Sequence, residues 1–158
     1  DVERSRGLGD VYKRQEFTKS QTASRRGLDN TPNEQHLQNA KLLFENVVQK
    51  VRDQFGITVI NSGYRGPALN EAVGGSNKSQ HCKGEAVDIE CPGQSNYMVA
   101  NWIEENLDFD QLILEFYTPG KENSGWVHVS YKSEGNRKSV LTAMKENGNT
   151  VYKAGLIQ

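Results

Sequence analysis

The chain has 158 residues, of which 25% are charged and 35% hydrophobic, with a net charge of −1. That length supports one domain with a modest core. The balanced charge gives no basis for electrostatic capture of nucleic acid or of an anionic membrane surface. No apolar run approaches the roughly 18 residues of a membrane span, and no apolar stretch of a secretory signal is visible near residue 1.

Residues 1–15 are rich in charge and glycine without hydrophobic periodicity. They read as a disordered leader or a non-native remnant, which places the folded domain over residues 16–158. Residues 16–30 are polar with few apolar anchors and predict an extended arm with turns. Thr31, Pro32 and Glu34 form a helix start: a capping hydroxyl, a proline suited to the first turn, and a glutamate completing a capping box. Leu37, Ala40, Phe44, Val47, Val48, Val51 and Phe55 then recur at helical spacing until Gly56 stops the helix. A β-branched strand is expected over 57–60, followed by a loop carrying Gly63, Tyr64 and Arg65, a short helix near 67–73, and a turn at Gly74, Gly75 and Ser76.

Strand 85–90 alternates, with Ala86, Asp88 and Glu90 on one face and Val87 and Ile89 on the other. Residues 95–106 predict a second helix whose apolar stripe is Met98, Trp102 and Ile103. Two strands, 110–116 and 126–131, follow around a loop with Pro119 and Gly120, and Asn147-Gly148 marks a final hairpin turn. The fold class is α+β, an antiparallel sheet with helices packed on one side. Cys82 and Cys91 do not make a disulfide framework; they flank a predicted strand and could bridge, but the expectation is two free thiols.

Two distant clusters carry the chemistry. Ser79-Gln80-His81 with Gly84, Ala86 and Asp88 forms the first, and Trp126-Val127-His128-Val129 the second. Two imidazoles and a carboxylate suit Zn²⁺ and leave a fourth position for water, as in a catalytic rather than a structural zinc site. Strands disfavour aspartate, so Asp88 between Val87 and Ile89 calls for a metal or a cation. A strand histidine alone is more often structural, and His36 reads as an ordinary surface residue. Alternation puts Gln111, Ile113 and Glu115 on one face of their strand and Trp126, His128 and Ser130 on one face of theirs. A symmetric loop would set Glu115 directly opposite His128, placing a proton-transferring carboxylate beside the metal.

These residues, together with Ser62-Gly63-Tyr64-Arg65, Leu69-Asn70 and Val73-Gly74-Gly75-Ser76, resemble the M15 family of zinc peptidases over roughly residues 16–145. The nearest branch is the D-Ala-D-Ala carboxypeptidase type, which includes phage lysis enzymes and shares its fold with the Hedgehog signalling domain. The resemblance implies that His81, Asp88 and His128 bind zinc and that Arg65 polarises the scissile carbonyl. It also implies that Ser79 contacts substrate, although a turn-forming role is equally open. Several family members carry the catalytic acid three residues before the last histidine; here that residue is Gly125, and Glu115 takes the role instead, with Glu85 and Asp110 as substitutes. The implied activity is hydrolysis of peptidoglycan stem peptides at D-Ala-D-Ala or at L-Ala-D-Glu, by a monomer acting at the bacterial cell wall or periplasm. The partner is then a peptide, with no nucleic acid and no membrane. The rival reading is a non-catalytic, zinc-stabilised binding or virion-structural module.

Overall fold

The computed structural model describes residues 17–76 and 79–157. The expected leader over residues 1–15 lies outside them. A six-stranded sheet organises the chain, built from β1 (Val59–Ser62), β2 (Ala86–Glu90), β3 (Gln111–Glu115), β4 (Trp126–Ser130), β5 (Ser139–Glu146) and β6 (Asn149–Ala154) in the order β1-β2-β4-β3-β5-β6. The sheet is not wholly antiparallel: β3 and β5 run parallel, because β4 returns on one side of β3 and the chain then crosses to the other. All other pairs are antiparallel, so the α+β class holds.

One sheet face is the core face. Val87, Ile89, Leu112, Leu114, Val127 and Val129 are fully buried there in one cluster with the helices. The long helix begins at α2 (Glu34–Leu43), passes through a π-helical turn over Phe44–Val48 and ends as α3 (Gln49–Phe55). The π turn keeps Phe44, Val47 and Val48 buried and hands the apolar face on to Val51. The cap differs from expectation by two residues: Asn33, not Thr31, accepts the hydrogen bond from the His36 amide (2.8 Å), while Thr31 is tied to Asp29. The second long helix, α5 (Asn96–Asn106), is capped by Ser95 and buries Val99, Ala100 and Ile103. Met98 is 56% exposed and leaves the expected stripe; Trp102 packs edge-on against Phe55. No helix among the described residues is long and apolar enough to cross a membrane.

Residues 17–30 are not simply extended. A short helix, α1 (Gln21–Arg26), is capped by the Ser20 hydroxyl and closed by Gly27. The segment is anchored by Phe17, which is buried and packs against Phe44 and Tyr64. The Tyr64 amide donates to the Phe17 carbonyl (2.7 Å), and the Asn30 side chain donates to both Thr18 and Tyr64 carbonyls. Few apolar residues sufficed because polar bonds to the Gly63–Gly66 loop supply the rest. The first strand starts at Val59 instead of residue 57, leaving Ile57 in solvent. Another short helix, α4 (Pro67–Ala72), follows that loop as expected. Cys82 and Cys91 are free thiols, and Asn147-Gly148, both at positive φ, turn β5 into β6.

Candidate metal centre and active site

The opposite sheet face carries the polar residues. Asp88 on β2 pairs directly with His128 on β4, which holds their side chains adjacent. His128 Nδ1 lies 2.9 Å from Asp88 Oδ1. His81 arrives from outside the sheet, on a 3-10 turn over Gln80–Lys83. Ser79 caps that turn by accepting from the His81 amide (3.2 Å). The His81 ring is buried, and its Nδ1–H donates to the Gly63 carbonyl (2.7 Å). A carbonyl only accepts, so Nδ1 carries a proton, and Nε2 faces Asp88 Oδ1, 3.4 Å away. Backbone anchoring of the far imidazole nitrogen is the usual way a metal-binding histidine is oriented.

The His81, Asp88 and His128 ligand atoms lie within 4.8 Å of one another, and theirs is the only such grouping among the described residues. Burial alone would raise the Asp88 carboxyl, but hydrogen bonds and charge from His128 and His81 hold it well below the ordinary carboxylate range. Two imidazole nitrogens and an ionised oxygen, converging from three separate segments, fit a divalent metal of zinc type. A structural zinc would ask for a fourth protein donor, and none joins this group among the described residues.

Glu115 stands at the end of β3 on the same face. The register differs from expectation: Glu115 pairs with Trp126, and Ile113 with His128. The shift is two residues, so the face is retained and Glu115 lies diagonal to His128. The cause is at the loop ends, where Phe116 and Gly125 both take positive φ and close the strand pair at Glu115 and Trp126. A Cβ at Gly125 would collide with the Glu115 carbonyl, so no side chain fits there. Trp126 Nε1 donates to Glu115 Oε2 at 2.6 Å. Burial, then the nearby Asp88 charge, pushes the Glu115 carboxyl above its usual value against the opposing pull of His128, Trp126 and Arg65.

Arg65 follows Tyr64 and is fixed by its amide, which donates to the His81 carbonyl (3.1 Å). Its Nε is buried and has no hydrogen-bond partner among the described residues. A cavity of about 730 Å³ opens over the His81, Asp88 and His128 cluster, with Arg65, Ser79, Glu85, Asp110 and Glu115 all in its wall. Glu85 is half-buried there. Asp110 is buried and fully engaged by Arg137 and Gln80, which holds its carboxyl below the normal range against the effect of burial and removes it as a proton shuttle. His36 stays apart from the His81, Asp88 and His128 cluster but is more than a surface residue: its Nδ1 sits 3.1 Å from the Tyr64 hydroxyl.

Lys83, Lys132, Arg137 and Tyr152 also line the cavity and were not singled out in the sequence. They sit in polar or irregular stretches with no motif spacing, and only the crossover to β5 and β6 brings the last two to the site.

An α+β domain with a His-Asp-His cluster, a raised carboxyl and an arginine around one cavity has the organisation of a metal-dependent hydrolase. A family model described as Peptidase M15 matches residues 10–130, and the chain belongs to that family of metallopeptidases. A search of curated proteins finds no match.

Proposed function

We propose that this chain is a zinc-dependent peptidase that hydrolyses peptidoglycan stem peptides at a D-Ala-D-Ala or L-Ala-D-Glu bond. The observation that carries the reading is the convergence of His81 Nε2, Asp88 Oδ1 and His128 Nδ1 beside Glu115, in a chain of the M15 family. His81, Asp88 and His128 would hold the zinc. When bound, zinc supplies Lewis acidity that brings the pKa of water down toward about 7 and polarises a carbonyl.

The remaining work falls to the chain's own groups. Glu115 takes a proton from the attacking water and passes it to the departing amine nitrogen. A carboxyl whose pKa is raised is suited to both halves of that transfer. Trp126 holds Glu115 in one orientation through the Nε1 hydrogen bond. Arg65, whose Nε is desolvated and unspent, offers its guanidinium to the oxygen on which negative charge develops. Ser79 keeps the His81 turn in place from the cavity wall, and its hydroxyl is within the space a substrate would fill.

Mass analysis of purified muropeptides after incubation tests the reading. Loss of a terminal D-Ala identifies a carboxypeptidase; release of the stem from its sugar-linked L-Ala identifies an endopeptidase. Both should cease with chelator and return with zinc. Glu115→Gln should cut the rate by about a hundredfold or more while the metal stays bound. Unchanged muropeptide masses with zinc present refute the peptidase and favour the binding module.

A further inference from the structure

The cavity has two ends. Glu115 marks one. At the other, Asp110 lies three residues before Ile113, the residue paired with His128, on the opposite side from Glu115. At about 3.4 Å per residue that is about 10 Å from the His128 row. Asp110 is 1% exposed and grips Arg137: its two oxygens accept from Arg137 Nε (3.0 Å) and Nη2 (2.9 Å). A guanidinium has two forked edges, and this bond consumes one. The Nη1/Nη2 edge is left over, on a side chain that is 58% exposed and in the cavity wall. The arginine is therefore held in place from behind and presents a second fork forward.

The cavity lining carries charges of both signs. Lys83 and Lys132 lie in the same wall, against Glu85 and the already engaged Asp110. Arg137 and Lys132 lie beyond residues 10–130, whereas Asp110 lies within them.

We propose that Arg137, backed by Asp110 and assisted by Lys132, is a specificity-determining residue that binds a free carboxylate of the peptide substrate. The carboxylate is carried two to three residues from the scissile bond, because an extended peptide spans the same distance at a similar rise per residue. The inference rests on the peptidase reading and narrows it: a carboxylate-bearing stem is taken, and its amidated counterpart is discriminated against.

The test uses zinc-loaded full chain and two pairs of synthetic stem peptides. One pair differs only in the α-carboxylate or α-carboxamide of the γ-linked D-glutamyl residue. The other differs only in the carboxylate or carboxamide of the diamino-acid side chain. Equilibrium binding and kcat/KM are measured for each. At least one pair should favour the carboxylate by about tenfold or more, as a charge-assisted fork requires. Arg137→Gln should shrink that ratio to near one. Arg137→Lys, which keeps charge and loses the fork, should leave an intermediate ratio, and Lys132→Gln should lower it modestly. The ratio is internal to each variant, so a general loss of stability does not mimic the result. Equal affinity for both members of each pair, a preference that survives Arg137→Gln, or no binding of any peptide overturns the proposal. Binding with the expected preference but without turnover would instead sink the peptidase reading and leave the carboxylate site standing.

Discussion

Replacing Trp126 with Phe isolates one hydrogen bond. The indole Nε1–H donates to Glu115 Oε2 at 2.6 Å, and the ring also packs near Phe116 with centroids 5.5 Å apart. Phenylalanine keeps an aromatic ring in that position and removes the donor. A hydrogen bond to a charged acceptor contributes about 1.5–3 kcal/mol, and one pKa unit corresponds to about 1.4 kcal/mol. Trp126 lowers the Glu115 pKa, so its loss must raise it. Glu115 keeps some solvent access, which places the expected rise near the lower end, about 1 unit. A general base must be ionised in the free enzyme, so the acid limb of kcat/KM against pH should move up by that amount in Trp126→Phe. The alkaline limb should stay in place. The assay is hydrolysis of a stem peptide between about pH 4 and 9, with zinc saturating at every pH and zinc content checked at each end. An acid limb that does not move, or moves down, would refute the assignment of Glu115 as the proton-transferring group.

Asp88→Asn should lower zinc affinity by at least about tenfold, read by equilibrium dialysis, because a neutral amide replaces the ionised donor shared by both histidines. Zinc should raise the melting temperature of the wild-type chain and raise it less in that variant. Asp110→Asn should destabilise the fold in a pH-dependent way. Its folded pKa is depressed, so its contribution is present above the unfolded value near about 3.9 and lost as pH falls through the folded one. The gap in urea stability between wild type and variant should therefore be widest near neutrality and narrow below about pH 4. Phe17→Ala should cost about 3 kcal/mol in the same measurement, since Phe17 is 1% exposed and packed on Phe44 and Tyr64.

The two candidate metal ligands on the sheet were legible because each breaks a local rule. Asp88 interrupts a β-branched strand, and His128 sits in another; both follow the two-residue period that fixes their common face. The same period made the face of Glu115 legible but not its partner. Registers two apart put identical side chains on that face, and only the positive-φ residues Phe116 and Gly125 choose between them. The π turn at Phe44–Val48 was hidden because Val47, Val48 and Val51 satisfy an α-helical stripe equally well. The pairing of Asp110 with Arg137 was hidden for another reason. They meet across 27 residues of chain, a pairing set by the crossover from β4 to β5 and by no local pattern.

The Gly63 carbonyl has a further consequence. It fixes the proton of His81, yet its own position depends on Phe17: the Tyr64 amide is bonded to the Phe17 carbonyl, and a Cβ at Gly63 would strike that same carbonyl. A residue from the unpromising start of the domain thus serves as a distant tether for His81. Loosening it should let the imidazole swing and weaken zinc retention without touching any donor atom, so shortening the chain past Phe17 would trade away cofactor grip along with packing.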